Sequence, residues 1–327
     1  MSSEKKFVSI IIPTYNRCDI IGNTIKSCIE QNYPHDRFEI IIADNKSTDN
    51  TRKVVEDIQK ESPVPVIYLF EERQGAHHAR NSAAKESKGE LLYFTDDDMI
   101  ADRDLLANMT KLFDLDYNIA VAGGRVLPKW EFEPPEWLTK YFKDGTLSLI
   151  DKPEKLIVAN YDIGIYSCHQ MIRREILFEC GGFNPDIAKD KLIGNGETGL
   201  NIKILAAGYS VGYTSEAVSY HVIPRSRMTQ RYINSRFGNQ GNCDSFTTFR
   251  KNENSKKVLL KLIFLTHIPE MLRKYSSSFG RMLIGKDEWR LDRAMAHYYF
   301  RRIMTDLKFA TDDEWRGYAV KHNYLEG

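Results

Sequence analysis

The chain has 327 residues, of which 42% are hydrophobic and 28% are charged. This is the composition of a globular protein with a large core, and it excludes an intrinsically disordered chain. The 46 basic and 45 acidic residues leave a formal net charge of +1, which argues against nucleic acid as a partner.

The first 95 residues alternate between apolar, β-rich runs and amphipathic segments. Predicted strands cover 7–12, 38–43, 64–70 and 90–95, and predicted helices cover 19–31, 50–60 and 76–87. Continuous apolar runs are typical of parallel strands that are covered on both faces. The order therefore predicts a doubly wound α/β sheet, whose ligands bind at the carboxyl ends of the strands. Clusters of polar residues follow several of these predicted strands.

After about residue 115 the pattern becomes irregular, and beyond about residue 245 it changes to basic amphipathic helices, predicted over 256–275 and 286–309. The pattern predicts one domain in two halves, followed by a C-terminal amphipathic helical region. These parts cover residues 1–115, 116–244 and 245–327.

The cysteines are five in number and widely spaced, with no C-x-x-C pair. We therefore predict free, mostly buried thiols, which suit a reducing compartment. The first apolar run ends at Pro13 and is too short for a signal peptide, and no run approaches the roughly 20 residues that span a bilayer. We expect a cytoplasmic protein, and we leave open its association with the cytoplasmic face of a membrane.

Three consecutive aspartates, Asp96, Asp97 and Asp98, follow the fourth predicted strand directly. Strand alternation brings Asp96 and Asp98 toward the same side. Carboxylates at this spacing can share one Mg²⁺ or Mn²⁺ while a diphosphate fills the remaining coordination positions. The alternative is a solvated acidic turn or a helix N-cap.

Four segments occur in order: Val8 to Arg17, Glu39 to Asp49, Gly75 with Ala79-Arg80-Asn81, and Phe94 to Asp98. Together they resemble the family 2 glycosyltransferases, which have the GT-A fold, over roughly residues 5–240. The resemblance implies a Rossmann-like, mostly parallel sheet with the C-terminal helices appended, in which residues 1–115 are the nucleotide-sugar-binding half and residues 116–244 the acceptor-binding half. It also implies a metal-dependent, inverting, hexosyl-transferring enzyme of polysaccharide biosynthesis, with a nucleotide-sugar donor and a saccharide or lipid-linked acceptor.

The resemblance places the nucleotide at the ends of the first two strands and near Arg80. Tyr15 would stack on a pyrimidine, and Asp44 would accept a hydrogen bond from its N3–H, which favours a UDP- or dTDP-sugar. Arg80 would bind phosphate or Asp96. The alternatives are a boundary aromatic, a turn cap and an exposed helix arginine. The predicted nucleotide-binding residues are Pro13, Thr14, Tyr15, Arg17, Asp44, Asn45, Gly75, Arg80, Asp96 and Asp97.

A second carboxylate segment, Gly194 to Tyr209, is similar to the family segment in which many members have Glu-Asp before a helix, with the Asp proposed as general base. The Leu-x-x-Ala-Gly-Tyr tail aligns Glu197 with that Asp and Gly196 with the preceding Glu, so this chain departs from the pattern. A glutamate is ionised at neutral pH and can take a proton from an acceptor hydroxyl. We predict Glu197 as the base of a single displacement, with a helix-capping glutamate as the alternative.

Several histidines and tryptophans complete the predicted site. His221 is similar to a family histidine near the diphosphate or metal, so the predicted metal ligands are Asp98, Asp96 and His221. A packed or phosphate-facing histidine is the alternative. The predicted acceptor contacts are Trp130, Trp137 and His169, although interior packing also explains the tryptophans. For His77 we expect a solvated or partly packed ring.

Residues 256–265 combine an apolar face with basic edges. Such a segment can lie on an anionic bilayer, which would suit a lipid-linked acceptor. It can equally cover the catalytic domain or form a homo-oligomer. We leave three roles open for this region: peripheral membrane contact through residues 255–275, packing against the catalytic domain, and formation of a homo-oligomer.

Two other functions compete with glycosyl transfer. A nucleotidyltransferase also binds a nucleotide near an acidic metal site, but it normally uses a Gly-rich basic loop, whereas Pro13 to Arg17 contains no glycine. A catalytically degenerate sugar-nucleotide-binding protein is the second alternative, because Glu197 stands where the family's usual Asp falls. For the predicted transferase the expected cofactor is Mn²⁺ or Mg²⁺.

Overall fold

The computed structural model describes residues 5–142, 145–185, 196–251 and 255–325. Its first part alternates strands and helices as predicted: β1 (Val8–Thr14), α1 (Ile21–Ile29), β2 (Phe38–Asp44), α2 (Thr51–Glu61), β3 (Val66–Phe70), α3 (Ala76–Glu86) and β4 (Leu91–Thr95). Every residue of β1 and β2 is buried, as expected for strands covered on both faces.

The middle of the chain is less regular. Its elements are β5 (Met99–Ala101), α4 (Leu105–Leu115), β6 (Ile119–Trp130), α5 (Glu136–Tyr141), β7 (Leu156–Ala159), β8 (His169–Arg173), α6 (Arg174–Glu179), α7 (Gly196–Ala206) and β9 (Ser210–Ile223). β9 carries His221 near its end and pairs with three other strands. β9 therefore joins β5 to β6 and β7 within the sheet.

The nine described strands form one sheet with the order β3-β2-β1-β4-β8-β6-β9-β5, and β7 also pairs with β9. The strands β1 to β4 are mutually parallel. β8 runs antiparallel to β4 and β6, and β6 is parallel to β9. The predicted fold class is confirmed, with parallel pairing among β1 to β4 and mixed pairing in the rest of the sheet.

Two hydrophobic clusters contain alternate residues of the central strands. Ile10 and Ile40 belong to one cluster, and Ile11 and Ile41 belong to the other. This alternation is the two-residue period of a strand. Each fully buried isoleucine contributes roughly 1.5 to 3 kcal/mol, so the central strands are a rigid support for the loops that follow them.

The C-terminal part is helical. It contains α8 (Gln230–Lys251), α9 (Lys256–Leu262), α10 (Ile268–Leu283), α11 (Trp289–Thr311) and α12 (Asp313–Val320), with a π-helical turn at Ile263–His267. α8 continues through residue 245, so the helical region begins at Gln230 and the predicted boundary falls inside a helix. In the part of the chain that the structure describes, no helix is both long and apolar enough to cross a membrane.

The cysteines are free thiols, and Cys28, Cys168 and Cys180 are buried. Burial raises the pKa of the Cys28 thiol to about 12, so this thiol stays protonated and unreactive at neutral pH. The prediction of free, mostly buried cysteines is confirmed.

Candidate active site

The carboxyl ends of β1, β2 and β4 lie along one edge of the sheet and border a cavity of about 460 Å³. We call it the donor-side cavity. All of the predicted nucleotide-binding residues except Asp44 line it. The complete lining is Pro13, Thr14, Tyr15, Arg17, Asn45, Gln74, Gly75, Ala76, Arg80, Asp96, Asp97, Asp98 and Arg227.

Two loops at the rim of this cavity are hydrogen-bonded to each other. Asn16 and Lys46 follow β1 and β2 with φ of 53° and 70°, in the left-handed region that non-glycine residues rarely adopt. The Asn16 amide donates to Ser47 Oγ at 2.9 Å, and Asn16 Oδ1 accepts from the Thr48 amide at 2.7 Å. Strained residues of this kind cluster at functional sites, where the surrounding structure holds them.

Tyr15 and Asp44 differ in their access to the cavity. Tyr15 is 48% exposed at the rim, where a planar ring can stack on it. Asp44 is only 1% exposed, and its two oxygens accept from Tyr68 Oη at 2.7 Å and from the Ser47 amide at 2.9 Å. The carboxylate therefore holds the loop, and Asp44 does not line the cavity. The predicted contact of Asp44 with N3–H of a pyrimidine has no support from the cavity.

Gly75 shapes the entrance to α3. Its φ of 137° and ψ of 127° lie in a region that is essentially restricted to glycine. Its amide donates to Asn45 Oδ1 at 2.6 Å, and Asn45 Nδ2 donates to the Arg73 carbonyl at 2.6 Å. Gly75 and Ala76 thereby place the N-terminus of α3 at the cavity wall, where helix amides and the helix dipole favour an anion such as phosphate.

Arg80 is 4% exposed and bridges α3 to the aspartate run. Its Nη2 donates to Asp96 Oδ1 at 2.5 Å, and its Nη1 donates to His77 Nδ1 at 3.1 Å. The sequence-based pairing of Arg80 with Asp96 is present, and the alternative of an exposed helix arginine is wrong. A charge-assisted bond of this kind fixes both side chains.

Asp97 is buried and belongs to the floor of the cavity. Its Oδ2 accepts from Thr14 Oγ1 at 2.8 Å, and its Oδ1 lies 3.7 Å from Arg17 Nε. Burial and the neighbouring Asp98 raise the pKa of the Asp97 carboxyl to about 7. The floor therefore concentrates negative charge, which an added cation would relieve.

Asp98 and His221 are brought together by backbone pairing, because Met99 of β5 lies opposite His221 of β9. Asp98 Oδ1 is 3.6 Å from His221 Nε2. His221 Nδ1 donates to the Leu147 carbonyl at 2.8 Å. Since a carbonyl can only accept, Nδ1 carries a proton, and Nε2 is the nitrogen that faces Asp98.

Arg227 supplies positive charge to this pair. Its Nη2 donates to Asp98 Oδ2 at 2.5 Å, and its Nη1 contacts His221 Nε2. Burial opposes ionisation of Asp98, but the contacts with His221 and Arg227 hold the pKa of its carboxyl below its ordinary value. Asp98 is therefore an anion at neutral pH.

The side chains of this site provide some of the ligands that a divalent cation needs, but not all of them. A histidine that donates one ring N–H to a carbonyl and offers the other nitrogen is typical of metal ligands, and Asp98 adds a carboxylate oxygen. Asp96, the third predicted ligand, is held by Arg80. Within the described ranges, no group of three His, Cys, Asp or Glu side chains is arranged to hold a metal. A cation here would therefore also need oxygens from a ligand.

Glu197 faces a second cavity of about 500 Å³, which we call the acceptor-side cavity. It is the second residue of α7, and its side chain is 28% exposed. The lining is Gly145, Thr146, Ser148, Asp162, Gly164, Tyr166, Glu197, Thr198, Arg236, Phe237, Asn239, Gln240 and Cys243. The predicted base and the aspartate run thus border different cavities, and His77 connects them, because it contacts Arg80 and lies 4.0 Å from Glu197.

Several lining residues of the acceptor-side cavity carried no signal in the sequence. Arg236, Asn239 and Gln240 lie on α8, which the sequence did not identify as part of the site. Arg236 Nε donates to the Thr146 carbonyl at 3.2 Å and so holds the opposite wall. Only the folding of α8 against residues 145–148 brings these polar groups together, and no local motif marks them.

His169 is fully buried within the sheet, at 0% exposure. Its Nδ1 pairs with Tyr93 Oη at 2.8 Å, and its Nε2 pairs with the Ala217 carbonyl at 3.1 Å. Burial lowers its pKa to about 4, so the ring is neutral at neutral pH. This placement corrects the prediction of an acceptor contact, because no acceptor can reach the ring.

The predicted acceptor tryptophans are half-buried and pack against the larger core cluster. Trp137 contacts Phe142 edge-on at 6.0 Å, and the Arg290 guanidinium lies 4.4 Å from the centre of the Trp137 ring. Neither Trp130 nor Trp137 is among the residues that line the two cavities. Interior packing therefore accounts for Trp137, and for Trp130 the role of acceptor contact has no support from the cavities.

The sequence and the fold are both similar to those of known glycosyltransferases. The sequence model described as Glycosyl transferase family 2 matches residues 9–182. The chain is 24% identical to glycosyltransferase AglE of Haloferax volcanii over 68% of each protein. It is 35% identical to the uncharacterized glycosyltransferase YfnE of Bacillus subtilis over 35% of this chain and 29% of YfnE.

Among solved structures, the fold is similar to that of mannosyltransferase PcManGT from Pyrobaculum calidifontis, which was solved in complex with GDP-Man and Mn²⁺. The TM-score is 0.63 with 19% sequence identity, over 93% of this chain and 88% of that one. At this identity the similarity establishes the fold.

Proposed function

This chain belongs to glycosyl transferase family 2, and we propose that it transfers a sugar from a nucleoside-diphosphate donor to a hydroxyl group of a saccharide or lipid-linked acceptor. One observation carries the proposal: the Arg80-bonded aspartate run borders one cavity, and the accessible carboxylate of Glu197 borders another. The first suits a departing diphosphate and the second suits an acceptor hydroxyl. These two features support a displacement reaction.

We assign the diphosphate to the donor-side cavity. Arg17, Arg80 and Arg227 line it together with the N-terminus of α3, and these groups favour phosphate oxygens. Asp98 and His221 would hold Mn²⁺ or Mg²⁺ there, together with oxygens of the donor. Such a cation supplies Lewis-acid stabilisation of the departing diphosphate. PcManGT, of similar fold, was solved with Mn²⁺.

Glu197 would act as the general base. An ionised carboxylate can take the proton from an acceptor hydroxyl as that oxygen attacks the sugar. If the attack comes from the face opposite the diphosphate, one displacement inverts the configuration, and no protein nucleophile is needed. The proposal leaves the base of the nucleotide open, because Asp44, the predicted partner of a pyrimidine N3–H, is 1% exposed and does not line the donor-side cavity.

The test is a transfer assay with the purified chain, Mn²⁺, a panel of GDP-, UDP- and dTDP-sugars, and saccharide acceptors. We expect release of nucleoside diphosphate that depends on the acceptor. Pyrophosphate release from a nucleoside triphosphate would instead support a nucleotidyltransferase, and donor binding without turnover would support a degenerate binding protein.

Glu197→Gln is the matched variant, because it keeps the shape of the side chain and removes the base. We expect donor affinity within about twofold of wild type and transfer reduced by roughly 10² to 10⁴-fold. Donor affinity is measured by calorimetry and transfer by diphosphate release. Full transfer by this variant would contradict the role of Glu197.

We further propose that the chain binds an anionic lipid surface through α9 and α10. Leu265, Leu272, Phe279 and Leu283 follow helical spacing and are 56% to 68% exposed. The opposite face is buried, since His267 is 2% exposed and Ser278 is 0% exposed. The outward apolar stripe thus extends beyond the predicted segment, as far as Leu283.

Charge favours a bilayer over a second copy of this chain. Residues 256–286 contain seven basic residues and one acidic residue, whereas the whole chain has a net charge of only +1. Two copies that meet through this surface would bring like charges together, which costs free energy. An anionic bilayer takes up the apolar stripe and attracts the lysines and arginines around it.

A further inference from the structure

His77 has a fixed orientation at the start of α3. Its side chain is 12% exposed. Its ring stacks on the ring of Phe183, with centroids 5.4 Å apart and planes 9° from parallel. The expectation of a partly packed ring is therefore met, and the packing sets the direction of both ring nitrogens.

The bond with Arg80 determines which nitrogen of His77 carries the proton. A guanidinium can only donate, so Nδ1, 3.1 Å from Arg80 Nη1, must be the acceptor. Burial, and next the charge of Arg80, lower the pKa of His77 well below its ordinary value, so the ring is neutral. The single ring proton is therefore on Nε2, and this N–H lies 4.0 Å from Glu197 Oε2.

The chain provides the space for this ring at the start of α7. A Cβ atom placed on Gly196 would lie 1.9 Å from His77 Nε2, which is far inside van der Waals contact. Any larger residue at position 196 would displace the imidazole. Gly196, where the family pattern has a glutamate, thus gives His77 access to the residue that follows it, Glu197.

We propose that His77 is a positioning residue for Glu197, which rests on the function proposed above. A small rotation of the Glu197 side chain closes the 4.0 Å separation to a hydrogen bond from Nε2–H to Oε2. That bond occupies one carboxylate oxygen and leaves the other to accept the proton of the acceptor hydroxyl. Because Nδ1 is bonded to Arg80, and Arg80 is bonded to Asp96, the base is held in register with the donor-side cavity.

Two substitutions separate this role from simple packing. The amide nitrogen of His77→Gln reaches the place of Nε2 and can donate to Glu197. His77→Asn keeps an acceptor for Arg80, but its amide stops short of Glu197. We expect kcat of His77→Gln within about fivefold of wild type, and kcat of His77→Asn to fall roughly 10- to 100-fold, with the donor KM and calorimetric Kd of both unchanged.

Two controls keep the result interpretable if substitution of His77 disturbs folding. Gly196→Ala keeps the ring and pushes it away, so we expect the same loss of kcat as in His77→Asn, with the donor Kd unchanged. In a Glu197→Gln background, His77→Asn should cause no further loss of residual transfer, since the two residues act as a unit.

The outcomes distinguish the two proposals. Absence of transfer by the wild-type chain would overturn the proposed function and this role with it. Wild-type transfer with equal kcat in His77→Asn and His77→Gln would overturn the positioning role alone. An equal loss of kcat, donor affinity and melting temperature in both variants would assign His77 to packing, and would also overturn it.

Discussion

The Arg227 guanidinium occupies the place beside Asp98 and His221 in which a metal cation would bind. Its guanidinium contacts both Asp98 and His221, the two residues that we assign to a divalent metal. One positive charge therefore stands where another would bind. Without a donor diphosphate, the metal and this side chain compete for the Asp98 carboxylate and for His221 Nε2.

We predict that Arg227→Ala binds Mn²⁺ more tightly than wild type in the absence of donor. Removing the competing charge should raise the affinity roughly tenfold, equivalent to about 1.4 kcal/mol. Calorimetric titration with Mn²⁺ measures this directly. His221→Ala is the control and should bind more weakly than wild type, whereas unchanged affinity in Arg227→Ala would exclude the competition.

At the scale of single residues, the sequence predicted which charged side chains pair with each other better than it predicted which polar side chains are buried. Arg80 with Asp96 follows from opposite charges placed after a strand and on a neighbouring helix. The enclosure of Asp44 depends on Tyr68, a residue of the next strand whose hydroxyl occupies the carboxylate. His169 is buried between two other strands, because Tyr93 of β4 and Ala217 of β9 both hydrogen-bond to its ring. Such contacts arise only from the pairing of the strands.

At the scale of elements, the connection from β3 to α3 depends on one buried carboxylate. Glu71 accepts from Arg73 Nε and Nη2, each at 2.9 Å, and from the Arg73 amide at 2.8 Å. The hydrogen bonds from Arg73, aided by Ser82, lower the pKa of Glu71 to about 2. This cluster supports the loop in which Gly75 adopts its unusual conformation.

We predict that Glu71→Gln destabilises the protein at neutral pH by roughly 1 to 3 kcal/mol. Because the folded-state pKa is depressed, the stabilisation is complete above pH 4.5 and is lost as pH falls toward 2. The difference between variant and wild type should therefore shrink in acid. Urea unfolding at pH 7 and pH 3 measures it.

Glu72→Gln is the matched control for this prediction, since Glu72 is adjacent in sequence and its side chain is 81% exposed. It should leave the free energy of unfolding nearly unchanged at both pH values. A Glu71→Gln deficit that is equally large at pH 7 and pH 3 would contradict the assignment to ionised Glu71.

Element boundaries were predictable where one physical signal dominated. The apolar runs of β1 and β2 gave both strands to within about two residues. The sequence indicates β9 only near residues 210–213, because the second half of the strand contains Ser219, Tyr220 and His221, whose polarity hides the strand period. His221 is polar because it contacts Asp98 and Arg227, so the strand is hardest to recognise where it reaches the site.

At the scale of the whole molecule, the last described residues form hydrogen bonds with residues 181 and 203, which precede the C-terminal helices in the chain. The Tyr324 amide donates to the Gly181 carbonyl at 2.8 Å, and Lys203 Nζ donates to the His322 carbonyl at 2.6 Å. Deleting the C-terminal helices would remove these contacts as well as the apolar stripe. Point substitutions are therefore the appropriate test of lipid binding.

We predict that the wild-type chain binds vesicles that contain phosphatidylglycerol and does not bind vesicles of phosphatidylcholine alone. Leu272→Glu with Phe279→Glu should abolish binding, because it removes apolar area and adds two negative charges to the surface. Higher salt should also weaken binding. Vesicle co-sedimentation measures all three effects.

Leu115→Glu is the control, since Leu115 is equally accessible, at 59% exposed, and lies on α4. It should bind vesicles as wild type does. If the wild-type chain ignores both kinds of vesicle, and the double variant instead converts a dimer into a monomer by analytical ultracentrifugation, the surface is a self-association interface.

The fit between Gly196 and His77 makes the effect of a mutation at one position depend on the residue at the other. A side chain at 196 is incompatible with an imidazole at 77 but compatible with a small residue there. Single-site scanning would therefore score both positions as intolerant, while paired libraries would recover combinations that pack without a clash but lack the contact of His77 with Glu197. A sequence with a bulky residue at 196 therefore differs from this one by two linked substitutions, one at 196 and one at 77. Either substitution alone is expected to be deleterious.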